Sequence, residues 1–277
     1  NKESSAPQCK LCGTFYAKGM PIMIYISNLI SDSQLAELLA RENLGIETID
    51  FSIGENLDDL SRLIDLWRRR MDSMHCTHVS IHGPFLDLNP TSYDSYIYQA
   101  TWNRFSQAYR AAMAIGADKI VFHTCRIPLV NYSQGWAERM ANFWSKFLEN
   151  HSQLPICLEN VFDDNPKLLK QVLKLVEHPH FTFCLDAAHA HCFSSVPITE
   201  WVDVLGPYTS HVHVHDNLGD RDAHLAVGDG NLPWEDLITH FQNMSQPPTW
   251  TIENTSLKDI RISLDFLKKH SFPAGPS

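Results

Sequence analysis

Positive charge is scarce in this chain: 22 lysines and arginines stand against 32 aspartates and glutamates, a net charge of −10. The global field therefore does not recruit nucleic acid, and only a local basic groove could do so. No apolar run reaches the roughly 20 residues that a bilayer span requires, and the start lacks the basic-then-apolar pattern of a secretory leader. The expectation is a cytoplasmic protein that makes no membrane contact. No Gly-x-Gly-x-x-Gly turn follows an early strand, which removes the sequence mark of an open dinucleotide-binding sheet. Cysteine occurs seven times, an odd number scattered through strand-like and helix-like runs, which argues for reduced thiols and against a disulfide framework. Cys9-Lys10-Leu11-Cys12 is half of a zinc-ribbon spacing with no second half to complete it. Residues 1–19 read as a flexible polar extension and residues 20–277 as a single catalytic domain without internal linker or repeat.

What is present is a regular alternation of short strands and amphipathic helices. The 277 residues, 44% hydrophobic and 19% charged, suffice for one large core. Strand-like runs lie at Ile22–Ser27, Ile46–Ile53, His78–His82, Lys119–Thr124, Pro155–Glu159, Phe181–Asp186, Ser210–His215 and Thr249–Glu253. Helical periodicity falls at Ser33–Asn43, Leu57–Met71, Tyr93–Ile115, Glu138–Asn150, Pro166–Glu177, Ile198–Leu205 and Trp234–Phe241. On the long third helix, Trp102, Phe105, Tyr109, Ala112 and Met113 share one face. Eight β-branched strands alternating with helices predict an α/β fold, a single (β/α)8 TIM barrel.

Histidines and acids then fall where such a barrel keeps its chemistry. His211-Val212-His213-Val214-His215-Asp216 alternates imidazoles and valines, which a strand sends to opposite faces. A buried imidazole row without a partner is costly, and a metal or an anion would satisfy it. Strand three ends at His82, strand four at His123 and strand five at Glu159. Strand six ends at Asp186 with His189 three residues on, and strand seven carries His213. The loop after it holds Asp222 and His224, and strand eight ends at Glu253. The C-terminal strand ends of a barrel form its mouth, so these residues converge there. Five histidines and four carboxylates without cysteine suit Zn²⁺, Mn²⁺, Co²⁺ or Fe²⁺ and are too rich in imidazole for a Ca²⁺ or Mg²⁺ cage. Nine donors exceed the needs of one ion, so between one and three ions are expected. Asp216 either orients a ligand imidazole or caps the turn that follows it. Gly228 and Gly230 are expected to shape the loop that returns Asp222 and His224 to the mouth. His75 and His78 lie at the opposite end, and His151, His178, His180, His240 and His270 at helix ends or connecting loops.

With these motifs the chain resembles the xylose-isomerase-like barrels, a superfamily of sugar isomerases and epimerases and of endonuclease IV-type AP endonucleases. The resemblance spans roughly residues 22–268 and is carried by Ser80-Ile81-His82-Gly83-Pro84, Val121-Phe122-His123, Leu158-Glu159-Asn160, Leu185-Asp186-Ala187-Ala188-His189, His213-Val214-His215-Asp216, Asp222-Ala223-His224 and Ile252-Glu253-Asn254. For the isomerase branch it implies one divalent ion on Glu159, Asp186, His213 and Glu253, with the two glutamates moving the proton. For the endonuclease branch it implies three zinc ions on all nine donors. Departures from the endonuclease pattern are Ala188-His189-Ala190-His191 after strand six and Ala223 in Asp222-Ala223-His224. The loop after strand two, Gly54-Glu55-Asn56-Leu57-Asp58-Asp59, is acidic where a DNA-gripping loop is basic and aromatic.

Two enzyme readings follow. In the first, a sugar or sugar phosphate is isomerised or epimerised, with Glu159 and Glu253 as base and acid and with His189 and His215 on substrate oxygens. In the second, a two- or three-zinc centre hydrolyses a phosphoester. A barrel that binds a ligand without turnover has little use for paired glutamates and ranks third. Both enzyme readings make the partner a small molecule, with nucleic acid disfavoured.

Overall fold

A computed structural model describes residues 22–271. The expected extension at 1–19 and the pair Cys9 and Cys12 lie outside the described residues. Eight parallel strands, β1 (Ile24–Ser27), β2 (Gly45–Thr48), β3 (Val79–His82), β4 (Lys119–His123), β5 (Ile156–Glu159), β6 (Phe181–Asp186), β7 (Thr209–Val214) and β8 (Thr249–Ile252), close into a barrel in sequence order. β1 pairs with both β2 and β8, so no edge is left open. Around it lie α1 (Asp32–Arg41), α2 (Leu60–Met74), α3 (Ser95–Ile115), α4 (Trp136–Leu148), α5 (Lys167–Val176), α6 (Ala187–Phe193), α7 (Ile198–Leu205), α8 (Trp234–Gln242) and α9 (Leu257–Ser271). Among the described residues no helix is long and apolar enough to cross a membrane.

The barrel wall sorts side chains by the strand period. Val212 and Val214 join the large core between sheet and helices. That core is richest where Phe105, Phe122, Phe143, Trp144 and Phe147 stack and cross edge to face, with Phe105 and Phe122 only 4.3 Å apart. The interior is different: Val121, Cys157 and Cys184 form a small separate cluster, and His211 and His213 point to Glu47 across the barrel. Imidazole and valine thus separate as the alternation predicts.

Some expected boundaries shift, for physical reasons. β2 stops at Thr48 and does not run to Ile53, because Thr48 and Ser52 hydrogen-bond into a turn, through Thr48 Oγ1 to Asp50 and Ser52 Oγ to Ile49 O. Phe51, expected in the strand, is instead a fully buried plug against Trp67. α2 begins at Leu60, where the Asp59 carboxylate accepts from the Arg62 amide. Met113 leaves the expected core face and is exposed, while Phe105, Tyr109 and Ala112 keep to it. The helices α6 and α9 are additions to the sequence expectation.

Candidate metal centre

The nine expected donors meet at the C-terminal mouth in three adjoining groups. In the first, His82 Nε2 and His123 Nε2 are 3.0 Å apart and stand 3.6 and 3.4 Å from Glu159 Oε2. In the second, His213 Nδ1 lies 3.2 Å from Glu159 Oε1 and 3.3 Å from Glu253 Oε1. Asp186 joins this group through His189 Nδ1, 3.1 Å from Asp186 Oδ2 and 3.5 Å from Glu159 Oε1. In the third, Asp222 Oδ2 is 3.3 Å from His189 Nε2 and 3.2 Å from His224 Nε2. Glu159 thus adjoins the first and second groups, and His189 the second and third.

These separations fit a cation between the donors. Ligands about 2.1 Å from a tetrahedral zinc stand about 3.4 Å from one another, the spacing seen in the first group. The buried Glu159 Oε2, His213 Nδ1 and His215 Nδ1 have no hydrogen-bond partner, although buried polar atoms normally have one. Atoms that converge without bonding each other are what a metal would satisfy.

The mouth is held by side chains that grip backbone. Asn160, fully buried after β5, donates to Asp186 O at 2.8 Å and accepts from the Asp186 amide at 3.0 Å. Asn217 donates to Ala188 O at 2.9 Å, and Asn254 donates to His224 O and Leu225 O. Asp186 also caps α6, accepting from the His189 amide at 2.7 Å, which sets His189 one turn beyond its own carboxylate. The loop after β7 folds back through a two-residue bridge between Asp216 and Leu225. The Asp216 carboxylate accepts from the amides of Asn217, Gly228 and Leu232. It fastens this loop, and none of its hydrogen bonds goes to an imidazole. Gly228 has φ +92°, and a Cβ on Gly230 would fall 2.2 Å from Asp216 Oδ1, so both positions require glycine.

Charge inside the mouth is distributed unevenly. Burial opposes ionisation of Glu159, but His213 and His123 outweigh it and hold the carboxyl well below its usual range. Asp186 is likewise lowered against burial by His189 and His215. Burial, with His82, His189 and His213 beside it, brings His123 down to about 3, so its imidazole is neutral. His224 goes the other way: despite burial, Asp222 and Glu253 raise it to about 9. His215, expected to face substrate, is fully enclosed, with Nε2 3.1 Å from Asp186 Oδ2 and its ring stacked on His224 at 4.0 Å. Phe85 packs 4.4 Å from His123, and Phe193 lies 6.2 Å from His189, giving the mouth an apolar wall.

Sequence reasoning missed Glu47. It is fully buried on β2, 2.8 Å from His213 Nε2 and 3.1 Å from His211 Nε2. Its signal was a lone acid inside an apolar strand run, Ile46-Glu47-Thr48. Asn160 and Asn254, each following a donor glutamate, were also passed over as positioning groups.

The comparisons with known proteins agree with the architecture. The sequence profile described as xylose isomerase-like TIM barrel matches residues 38–270. An uncharacterized protein of Methanocaldococcus jannaschii, MJ1311, is 25% identical over 212 residues, 69% of this chain and 69% of that protein. The TTHB071 protein of Thermus thermophilus, in a crystal soaked with zinc chloride, is 26% identical with a TM-score of 0.73, covering 91% of this chain and 98% of that one. A D-tagatose 3-epimerase-like protein shares the fold at 23% identity and TM-score 0.73, covering 90% and 97%. By its profile match over most of its length, this chain belongs to the xylose isomerase-like TIM-barrel family.

Proposed function

We propose that the protein is a divalent-metal-dependent isomerase or epimerase of a sugar or sugar phosphate. The observation that supports this reading is the pair of glutamates flanking one imidazole nitrogen: Glu159 Oε1 and Glu253 Oε1 lie 3.2 and 3.3 Å from His213 Nδ1. Glu159, Asp186, His213 and Glu253 would hold the ion, zinc or manganese by their donor chemistry, with cobalt or iron as alternatives. Once bound, it supplies Lewis-acid polarisation of a carbonyl and the hydroxyl beside it, which acidifies the carbon bearing that hydroxyl. One glutamate takes the proton from this carbon and the other returns a proton. Return to the opposite face of the same carbon inverts it. Return to the former carbonyl carbon, with a proton passing from hydroxyl to carbonyl oxygen, exchanges aldose and ketose. His189 offers Nε2 to a substrate oxygen, and His215 holds Asp186 in place. Phe85 and Phe193 keep water from the reacting carbon.

A second reading, phosphoester hydrolysis at two or three zinc ions, draws on a specific observation. His82 and His123, and His189 with Asp222 and His224, are converging donors that a single ion on Glu159, Asp186, His213 and Glu253 leaves unused. Elemental analysis of the purified protein, paired with two activity screens, separates the readings. A metal-to-protein ratio near one with turnover of ketoses or aldoses supports the isomerase. A ratio near three (from the donor count zinc needs) with cleavage of phosphoesters, and no sugar turnover, overturns it. Cleavage of an abasic DNA duplex is expected to be absent or very weak. In the loop after β2, Asp58 is paired with Arg104 at 2.7 Å and Asp59 caps α2, so the loop itself offers carboxylates and not cations to a phosphate.

A further inference from the structure

We propose that Glu47 is the positioning residue of the metal centre: from the barrel interior it holds His213 with its proton on Nε2, so that Nδ1 presents a lone pair between Glu159 and Glu253. This rests on the metal-dependent part of the reading above and is independent of which reaction follows.

Hydrogen-bond direction carries the inference. At the far end of the buried column, Lys119 Nζ donates to Thr249 Oγ1. The Thr249 hydroxyl has two acceptors in reach, His211 Nδ1 at 2.6 Å and Ser210 O at 3.4 Å, and gives its proton to the nearer. His211 then keeps its proton on Nε2, which faces Thr251 Oγ1 at 2.8 Å and Glu47 Oε2 at 3.1 Å. The Thr251 hydroxyl donates to the same oxygen at 2.9 Å. With Oε2 doubly occupied, Glu47 Oε1 is left facing His213 Nε2 at 2.8 Å. A carboxylate oxygen accepts, so its nearness to Nε2 favours the His213 tautomer that carries the proton on that nitrogen. The oxygen lies off the N–H axis, so the pair falls short of hydrogen-bond geometry and neither atom has a hydrogen-bond partner; the short contact itself ties Glu47 to this nitrogen.

Burial makes the arrangement costly unless it does something. Glu47 is fully enclosed, and removing a carboxylate from water costs several kcal/mol even when it is paired. A hydrophobic residue on β2 would fill the interior without that penalty. A histidine ligand that donates its second N–H to a carboxylate is fixed in tautomer and orientation and is a more basic donor, and loss of such a partner costs about 10–100-fold in metal affinity. Nothing else beneath His213 provides that carboxylate, since Glu159 and Glu253 lie on its Nδ1 side.

The test is Glu47→Gln, which keeps the shape and removes the charge, measured by zinc competition with a chromogenic chelator. Zinc affinity should fall about 10–100-fold while the circular dichroism spectrum is retained. In the zinc-loaded protein with ¹⁵N-labelled histidine, the His213 Nε2–H resonance should be slow to exchange, and in Glu47→Gln it should shift and exchange faster. Trp144→Ala serves as the packing control, because it opens the core between sheet and helices, away from the column of Glu47, His211 and His213. It should lower the melting temperature and leave zinc affinity near the unmodified value. Equal loss of zinc affinity in Trp144→Ala, unchanged affinity and resonance in Glu47→Gln, or a zinc-loaded crystal structure with Glu47 bonded directly to an ion would each overturn the proposal. Zinc binding without sugar turnover would defeat the isomerase reading and leave this test intact.

Discussion

Replacing Gly230 with alanine tests the loop that carries Asp222 and His224. The new methyl carbon would sit 2.2 Å from Asp216 Oδ1 and 2.3 Å from Asn217 O, far inside contact distance, with backbone on one side and a buried carboxylate on the other. The carboxylate is the part that can yield. When Oδ1 moves it loses the amides of Asn217 and Leu232, at 2.8 and 3.2 Å. A hydrogen bond to a charged group contributes about 1.5–3 kcal/mol. Loss of one therefore lowers the opening free energy of the loop by about 2 kcal/mol, and loss of both by about 4 kcal/mol. At about 1.4 kcal/mol per factor of ten, amide hydrogen exchange over residues 216–232 should accelerate about 30-fold to nearly 1000-fold, while exchange in the barrel strands stays as it was. Mass-spectrometric exchange reads this directly and without any metal. Turnover should fall in parallel, because Asp222 and His224 lose their place. Exchange over 216–232 that matches the unmodified protein would refute the reasoning, since the clash would then have been absorbed without cost to Asp216.

Three further outcomes are expected. Glu253→Gln should lower kcat by about 10²–10⁴-fold without changing the circular dichroism spectrum, and full activity at unchanged metal content would remove Glu253 from the chemistry. Asp163 is buried beside Thr124 and Arg126, and burial raises its carboxyl to about 6. Because the folded state holds this proton more tightly than the unfolded chain, ionisation costs stability progressively between about pH 4 and pH 6 and fully above. Asp163→Asn should therefore stabilise the protein by about 3 kcal/mol at pH 7 and by almost nothing at pH 4, as read from urea midpoints at the two pH values. Trp144→Ala, at the centre of the aromatic cluster against Phe105, Phe122 and Phe147, should cost about 3–5 kcal/mol and leave the metal content of the folded fraction unchanged.

The barrel was legible because each strand is a short β-branched run followed by a polar residue, and that same punctuation marks the strand ends where the donors converge. His82, His123, Glu159 and Asp186 are each the last residue of their strand, so strand ends alone located much of the mouth. Glu47 escaped because it sits inside a strand, one layer deeper, where only knowledge of the barrel's closure brings β2 opposite β7. The apolar pattern overstates β2 because Phe51 and Ile53 continue it, although hydrogen bonds from Thr48 and Ser52 have already turned the chain. α6 is invisible for another reason: a seven-residue helix is too short to display a period, and its cap, Asp186, doubles as a donor. The enclosure of His215 could not be foreseen either, since it depends on His224 returning from a loop nine residues later to stack on it.

The asparagine grips at the mouth have a consequence for how such a scaffold diversifies. Asn160, Asn217 and Asn254 hold the peptide groups of residues 186, 188, 224 and 225, and a peptide group is the same whatever side chain it bears. The donor-bearing strand ends are thus clamped by contacts indifferent to the sequence of the intervening loops. Segments between these clamped stretches, such as 218–221, can therefore be exchanged, lengthened or recombined while the cradle stays put. A library that randomises those segments and leaves the three asparagines untouched should retain zinc binding in most of its folded members while spreading widely in what they accept. Inheritance of the centre and novelty of the substrate are, in this barrel, assigned to different atoms of the same loops.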